Sequence, residues 1–177
     1  MDKFFINVYF SISPNKIGSK IIANFQDGIS HCGIRFKLPL IDKWWVFEAR
    51  GHGGLSYSNP YDFEKEIKIV EEYKINCVND EIIKVLNLSD SMLRSPYGYF
   101  GLFGMVFVLI CKKLGGWTMN PFPWGYFCSQ ATYKILKNVF KFYVDGDPDE
   151  NRVGPDDLRN MLKELSKTNP DKVKLIS

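Results

Sequence analysis

The sequence predicts a single α+β domain. Three observations carry that prediction: segments of strand composition gather in the first half of the chain, amphipathic helical patterns follow in the second, and no linker or internal repeat divides the 177 residues. A chain of this length buries roughly 70% of its unfolded surface on folding, so its core needs no disulfide or metal staple. Hydrophobic residues make up 45% and charged residues 24%, which excludes a disordered or low-complexity chain. The whole chain, 1–177, is expected to be one domain.

The elements follow in order. Phe4–Ser11 is rich in β-formers. After Ser13-Pro14-Asn15, residues Ile17, Ile21, Ile22 and Phe25 recur at helical spacing. Ser30–Lys37 and Lys43–Arg50 both have strand composition and flank a turn around Leu38-Pro39-Leu40, which predicts a hairpin. A glycine-rich tip, Gly51-His52-Gly53-Gly54, comes next. Residues 67–77 read as a further strand and Asp80–Leu93 as a helix. Tyr97–Lys113 is predicted partly helical, against the low helix propensity of Gly98, Gly101 and Gly104. Gly115–Tyr126 is a loop rich in Gly, Pro and Trp, and Phe127–Phe140 returns to helix. The last helix has Pro155 at its first position, Asp156 and Asp157 at the positive end of its dipole, and an apolar stripe of Leu158, Met161, Leu162 and Leu165.

Composition also excludes function classes. Twenty-three Lys and Arg against twenty Asp and Glu leave a charge of +3, and no basic block concentrates it, so a nucleic-acid partner is not expected. Cys32, Cys77, Cys111 and Cys128 stand singly and the chain has two histidines, so neither a metal site nor another cofactor is expected. Met1–Ile6 lacks the features of a signal peptide. The longest apolar run, Tyr97–Cys111, falls short of the ~20 residues of a membrane span. The expectation is a soluble chain, cytoplasmic or virion-associated rather than classically secreted. The oligomeric state is not legible.

Three residues carry candidate chemistry: His31, Glu48 and Cys128. A hairpin turn centred between Pro39 and Leu40 would set His31 directly across from Glu48, on one face, where the carboxylate reaches the imidazole. A slip of one residue would send Glu48 to the other face. Cys128 opens a predicted helix, where the dipole and free backbone N–H groups favour a thiolate and offer a site for an oxyanion. Nucleophile, base and orienter together make a minimal acyl-transfer site. Singly each residue has a plainer reading: a buried small hydrophobe for Cys128, a structural histidine for His31, a solvated partner of Arg35 or Arg50 for Glu48. His52, in the flexible tip, is the poorer base. Asp145-Gly146-Asp147-Pro148-Asp149, with Asp156 at the twelfth position, imitates a calcium loop. Glu150 stands where that loop needs glycine, however, so the segment reads as an acidic turn capping the last helix.

Ser30-His31-x-Gly33-Ile34, then Val46-Phe47-Glu48-Ala49, then Tyr126-Phe127-Cys128-Ser129 resemble, in that order, the circularly permuted NlpC-type, papain-like cysteine hydrolases. YiiX-like proteins are the nearer variant and lecithin:retinol acyltransferase-like enzymes a more distant one. The resemblance spans roughly residues 6–160. It implies a papain-like sheet packed against helices with Cys128 as nucleophile, His31 as general base and Glu48 as the third member. Pro96-Tyr97 is similar to a pair upstream of the family's cysteine, which implies that Tyr97 lines the cleft as a substrate contact or helps to hold the oxyanion. Asn7-Val8-Tyr9 departs from the family's usual Gly-Asp on the first strand, Gln130 replaces an acidic residue, and Cys32 replaces a small aliphatic. The implied activity is cleavage of an amide bond in a short, cell-wall-type peptide through an acyl-enzyme. A lipid ester or amide, hydrolysed or transferred as an acyl group, is the alternative substrate. A non-catalytic binding or virion-associated module is the alternative from another class.

Overall fold

A computed structural model describes residues 4–12, 23–24, 28–38, 43–50, 54–59, 63, 67–98, 107, 111 and 126–177. Six strands form one antiparallel sheet: β1 (Phe4–Ile12), β2 (His31–Leu38), β3 (Lys43–Arg50), β4 (Gly54–Ser58), β5 (Lys68–Cys77) and β6 (Val173–Leu175). Their order across the sheet is β4-β3-β2-β1-β5-β6. Strand alternation sorts the side chains into two sets. Ile6, Val8 and Phe10 of β1, Cys32, Ile34 and Phe36 of β2, Phe47 and Ala49 of β3, and Tyr73 and Ile75 of β5 belong to the main core. The opposite set includes Asn7, Tyr9, Val46, Glu48 and Glu72. All of these are buried as well, and Tyr9 and Val46 join Phe63 in a smaller apolar cluster. A sheet buried on both sides is where a strand carboxylate is forced to find partners.

Among the described residues, three α-helices belong to the main core: α1 (Asn79–Met92), α2 (Cys128–Phe140) and α3 (Pro155–Thr168). α1 starts where the Glu81 carboxylate accepts from Val78 N (2.9 Å), one half of a capping arrangement. It inserts Ile82, Val85 and Met92. α2 is the most enclosed, with Ala131, Tyr133, Ile135 and Leu136 no more than 2% exposed. It ends where Lys141 turns into the left-handed region (φ 59°) and its N–H returns to the Leu136 carbonyl. α3 begins at Pro155 as expected, and Asp157 Oδ2 accepts from Gly154 N (2.8 Å). The C-terminal residues close the far edge: β6 pairs with β5, and Lys172 Nζ bonds Glu81 of α1 while lying over the Phe140 ring of α2.

The α+β architecture and four of the six strands match the sequence expectation. β4 and β6 went unpredicted, because five- and three-residue strands carry too little alternation to register. The hairpin register is a correction. Ile34 pairs with Phe47 and Leu38 with Lys43, so the register is displaced by two residues from the one that sets His31 against Glu48. The last pair, Leu38 with Lys43, centres the connection one residue further along than the Pro39–Leu40 midpoint, and Pro39 has no N–H to give the ladder. A displacement of two keeps every side chain on its face. The expected helices at Ile17–Phe25 and Tyr97–Lys113, the loop Gly115–Tyr126 and the tip carrying His52 lie wholly or largely outside the described residues.

Leu136 fills the layer between α2 and the sheet. Leu136→Ala is expected to lower the unfolding free energy by about 2–5 kcal/mol. Exposed Ile83→Ala is expected to change it by less than about 0.5 kcal/mol. Urea denaturation of both variants measures the contrast.

Candidate active site

Glu48 lies on β3 with its side chain 2% exposed. A buried carboxylate must be paired, and this one has donors on both oxygens. Arg50 Nε lies 2.6 Å from Oε1, while His31 Nε2 at 2.9 Å and the Tyr9 hydroxyl at 3.2 Å share Oε2. Burial pushes the Glu48 carboxyl up. The hydrogen bond and charge of His31, then the charge and hydrogen bond of Arg50, overcome that and hold it down at about 2. It is an anion throughout the physiological range.

The two-residue register displacement explains how His31 reaches it. Continued along the strands, the observed pairing sets Gly33 opposite Glu48, so His31 meets the carboxylate on the diagonal, still on the same face. Tyr9 is the residue paired with Gly33 from the other side, on β1. Gly33 thus separates Tyr9 from Glu48, and its missing side chain lets them meet. A Cβ there would collide with the Tyr9 hydroxyl and lie 2.9 Å from the Phe47 carbonyl oxygen.

Cys128 is the first residue of α2 and Phe127 its N-cap, with no side chain capping the first-turn N–H groups. The thiol is buried and held well below its ordinary pKa. A hydrogen bond from the Cys32 side chain acts first, burial opposes it, and the charge and hydrogen bond of His31 add to the lowering. Conversely, burial pulls the His31 imidazole down, but the charge of Cys128 and its hydrogen bond, followed by those of Glu48, push it up to about 10. The two groups therefore stabilise each other as thiolate and imidazolium. Because Nε2 faces Glu48, Nδ1 is the ring nitrogen left to exchange a proton with the thiol.

The start of α2 is fixed from three sides. Tyr97 and Tyr126 form a parallel bridge, with Gly98 N donating to the Tyr126 carbonyl (3.0 Å) and Tyr126 N to that of Pro96 (3.2 Å). Residues 94 and 95 in turn bond Leu55 at the start of β4. Gly54 allows this approach, since any Cβ on it would strike the Ser95 carbonyl and its φ of +70° suits glycine. Ser129 Oγ donates to the Val153 carbonyl (2.7 Å), and Gln130 Nε2 to Asn151 Oδ1 (2.7 Å). Below, Thr132 Oγ1 donates to the Cys128 carbonyl (2.9 Å) and lies 3.8 Å from Cys32 Sγ.

His31, Glu48 and Cys128 thus come together from positions far apart in the chain. Tyr97 is half-buried, and the bonds of its bridge to Tyr126 run through the backbone of its neighbours Pro96 and Gly98, which fixes the segment leading into α2. Arg50, read from sequence as a rival partner for Glu48, binds it together with His31. Tyr9, Gly33 and Cys32 were missed as parts of the site. Gly33 carried a signal, since a glycine inside a strand marks a close approach, but its occupant needs the β1–β2 register. In the acidic segment, Asp147 accepts from Lys137 and Tyr133, and Asp149 caps the 3-10 turn Glu150–Arg152. The α3 capping belongs to Asp157.

No family model matches the chain, and no curated protein does either. Among solved structures, the chain is similar to the metalloprotein YiiX of Escherichia coli O157:H7, at 15% identity and a TM-score of 0.52, over 98% of this chain and 87% of that one. The fold is YiiX-like. Among the described residues no group of three or more His, Cys, Asp or Glu is placed to hold a metal ion. No described helix is long and apolar enough to cross a membrane.

Two outcomes follow. Cys32→Ala removes the first donor to the Cys128 thiolate and is expected to raise the pH midpoint of Cys128 alkylation by about one unit, with Cys32→Ser recovering part of the shift. Iodoacetamide rates across pH measure both. Glu48, with its folded-state pKa depressed, contributes stability that is present above its unfolded value of 4.5 and lost as pH falls toward about 2. Wild type should therefore exceed Glu48→Gln by on the order of 2–3 kcal/mol near neutrality, and urea unfolding should show that margin vanish across the acid window.

Proposed function

We propose that the protein is a cysteine hydrolase that cleaves an acyl bond through a covalent thioester. The observation that carries this reading is the placement of Cys128 at the first residue of α2 together with His31 Nε2 held 2.9 Å from buried Glu48, an arrangement that favours a thiolate beside an imidazolium. The YiiX-like fold is compatible with it, and the sequence resemblance to the permuted papain-like hydrolases points the same way.

In the proposed mechanism the Cys128 sulfur attacks the substrate carbonyl carbon and the carbonyl electrons move to oxygen. The first-turn N–H groups of α2, left without a side-chain cap, are the donors available to that oxyanion. As the oxyanion collapses, the bond to the leaving nitrogen breaks and His31 delivers its proton to it, leaving an acyl group on sulfur and a neutral imidazole. His31 then takes a proton from water, whose oxygen attacks the thioester, and the thiolate leaves with the imidazolium restored. Glu48 keeps the ring in the tautomer and orientation that present Nδ1 to the sulfur, and its charge stabilises the imidazolium in both half-reactions.

The substrate in this reading is an amide of a short peptide, on the strength of the family resemblance. Mass spectrometry of the acyl group trapped on Cys128 distinguishes it from a lipid acyl chain. Cys128→Ser is expected to reduce turnover by about a thousandfold or more, and His31→Ala by a comparable factor, since the two act as a unit. Glu48→Gln is expected to cost less, because an amide oxygen still accepts from Nε2 while the charge is lost. Faster iodoacetamide labelling of Cys32, Cys77 or Cys111 than of Cys128 in the folded protein would overturn the assignment of the nucleophile.

A further inference from the structure

Tyr9 belongs to no part of the chemistry described so far, yet it is built into the site more deliberately than packing requires. It is fully buried, its ring set edge-on to Phe63 with centroids 4.7 Å apart and tilted against His31 at 6.1 Å. A phenol buried to this depth needs a partner for its O–H. Here the partners are the functional groups themselves: Glu48 Oε2 at 3.2 Å and His31 Nε2 at 3.4 Å.

We propose that Tyr9 is the positioning residue of this site: its hydroxyl, admitted over the bare backbone of Gly33, joins Glu48 to His31 and holds the carboxylate–imidazole pair in the orientation that serves Cys128. The inference rests on the roles proposed above for His31 and Cys128, and it extends them to a strand that carries neither.

The geometry assigns the two Glu48 oxygens separately. Arg50 occupies Oε1, and Oε2 is left to Tyr9 and His31. The single phenolic proton goes to the carboxylate, and the phenol oxygen presents its lone pairs to Nε2–H, so three polar atoms close a small ring of contacts. Neither the carboxylate nor the imidazole can rotate without breaking one of them. Burial and the Glu48 charge raise the Tyr9 phenol well above its ordinary pKa, so it stays a neutral donor. A cation in its place would compete with His31 for Glu48, whereas a neutral donor fixes the oxygen and leaves the imidazolium its counter-charge. Gly33 completes the argument. A Cβ at that position would collide with the Tyr9 hydroxyl and lie 2.8 Å from Cζ. The strand therefore forgoes a side chain where the hydroxyl crosses it.

The test uses the full chain and reads Cys128 directly, by iodoacetamide alkylation across pH followed by peptide mass spectrometry. Tyr9→Phe keeps the ring and removes only the hydroxyl. The expected result is a fall of about tenfold in the Cys128 rate at mildly acidic pH, with the acid limb moved upward, while circular dichroism shows an intact fold. Gly33→Ala should displace the hydroxyl from the other side and reproduce the shift. The double variant should then be much less damaged than the two single losses multiplied together, because both remove the same contact. A purely structural Tyr9 would lower the melting temperature and leave the pH midpoint in place, and that outcome overturns the proposal while the hydrolase reading stands. If Tyr9→Phe does not fold, Gly33→Ala alone decides: an unmoved acid limb overturns the proposal. If wild-type Cys128 itself has no acid-shifted reactivity, the hydrolase reading falls and Tyr9 has nothing to position.

Discussion

A single buried anion organises this protein. Glu48 sits on β3, one strand in from the β4 edge, with its carboxylate withdrawn from water, and an ion in that position survives only with donors on both oxygens. Those donors arrive from three strands: Arg50 on β3 itself, His31 at the start of β2 and Tyr9 across β2 on β1. Each donor constrains its strand. The β2–β3 register must bring His31 onto the diagonal, the β1–β2 register must pair Tyr9 with Gly33, and position 33 must carry no side chain.

The helix layer supplies what the sheet lacks. Carboxylate and imidazole alone make an ordinary buried pair; the proposed chemistry needs a thiolate brought to the imidazole's other nitrogen. α2 does this by burying almost its whole length against the sheet, so that its first residue is delivered to a fixed place. The bonds from Ser129 and Gln130 to residues 151–153, together with the Tyr97–Tyr126 bridge, keep that first turn from fraying. Cys32 contributes from beneath, one residue after His31 and therefore on the opposite face of β2. Adjacent residues of one strand thus act from two sides: His31 from the face of Glu48, Cys32 from the face of α2. Strand alternation makes that division automatic once the strand begins at residue 31.

Legible in the sequence alone were the α+β class, the positions of β1, β2, β3 and β5, the α-helices α1 and α2, and the start of α3, each to within a residue or two. These follow from local periodicity and from end signals such as Pro155 with Asp156 and Asp157, which need no knowledge of distant partners. The expected shared face of His31 and Glu48 holds because the observed register differs from the expected one by two residues, which preserves parity. The register itself was decided by tertiary structure: the pairing of Leu38 with Lys43 moves the centre of the connection one residue beyond the Pro39–Leu40 midpoint, a choice set by what the flanking strands can bury. Tyr9, Gly33 and Cys32 were legible as residues and illegible as parts of a site. Tyr9 meets Glu48 only through the β1–β2 pairing, and Cys32 meets Cys128 only through the docking of α2. Contacts between residues 39 and 96 positions apart leave no mark on local pattern. Only the folded chain, by closing those distances around one buried carboxylate, turns a tyrosine, a glycine and a second cysteine into parts of the same site.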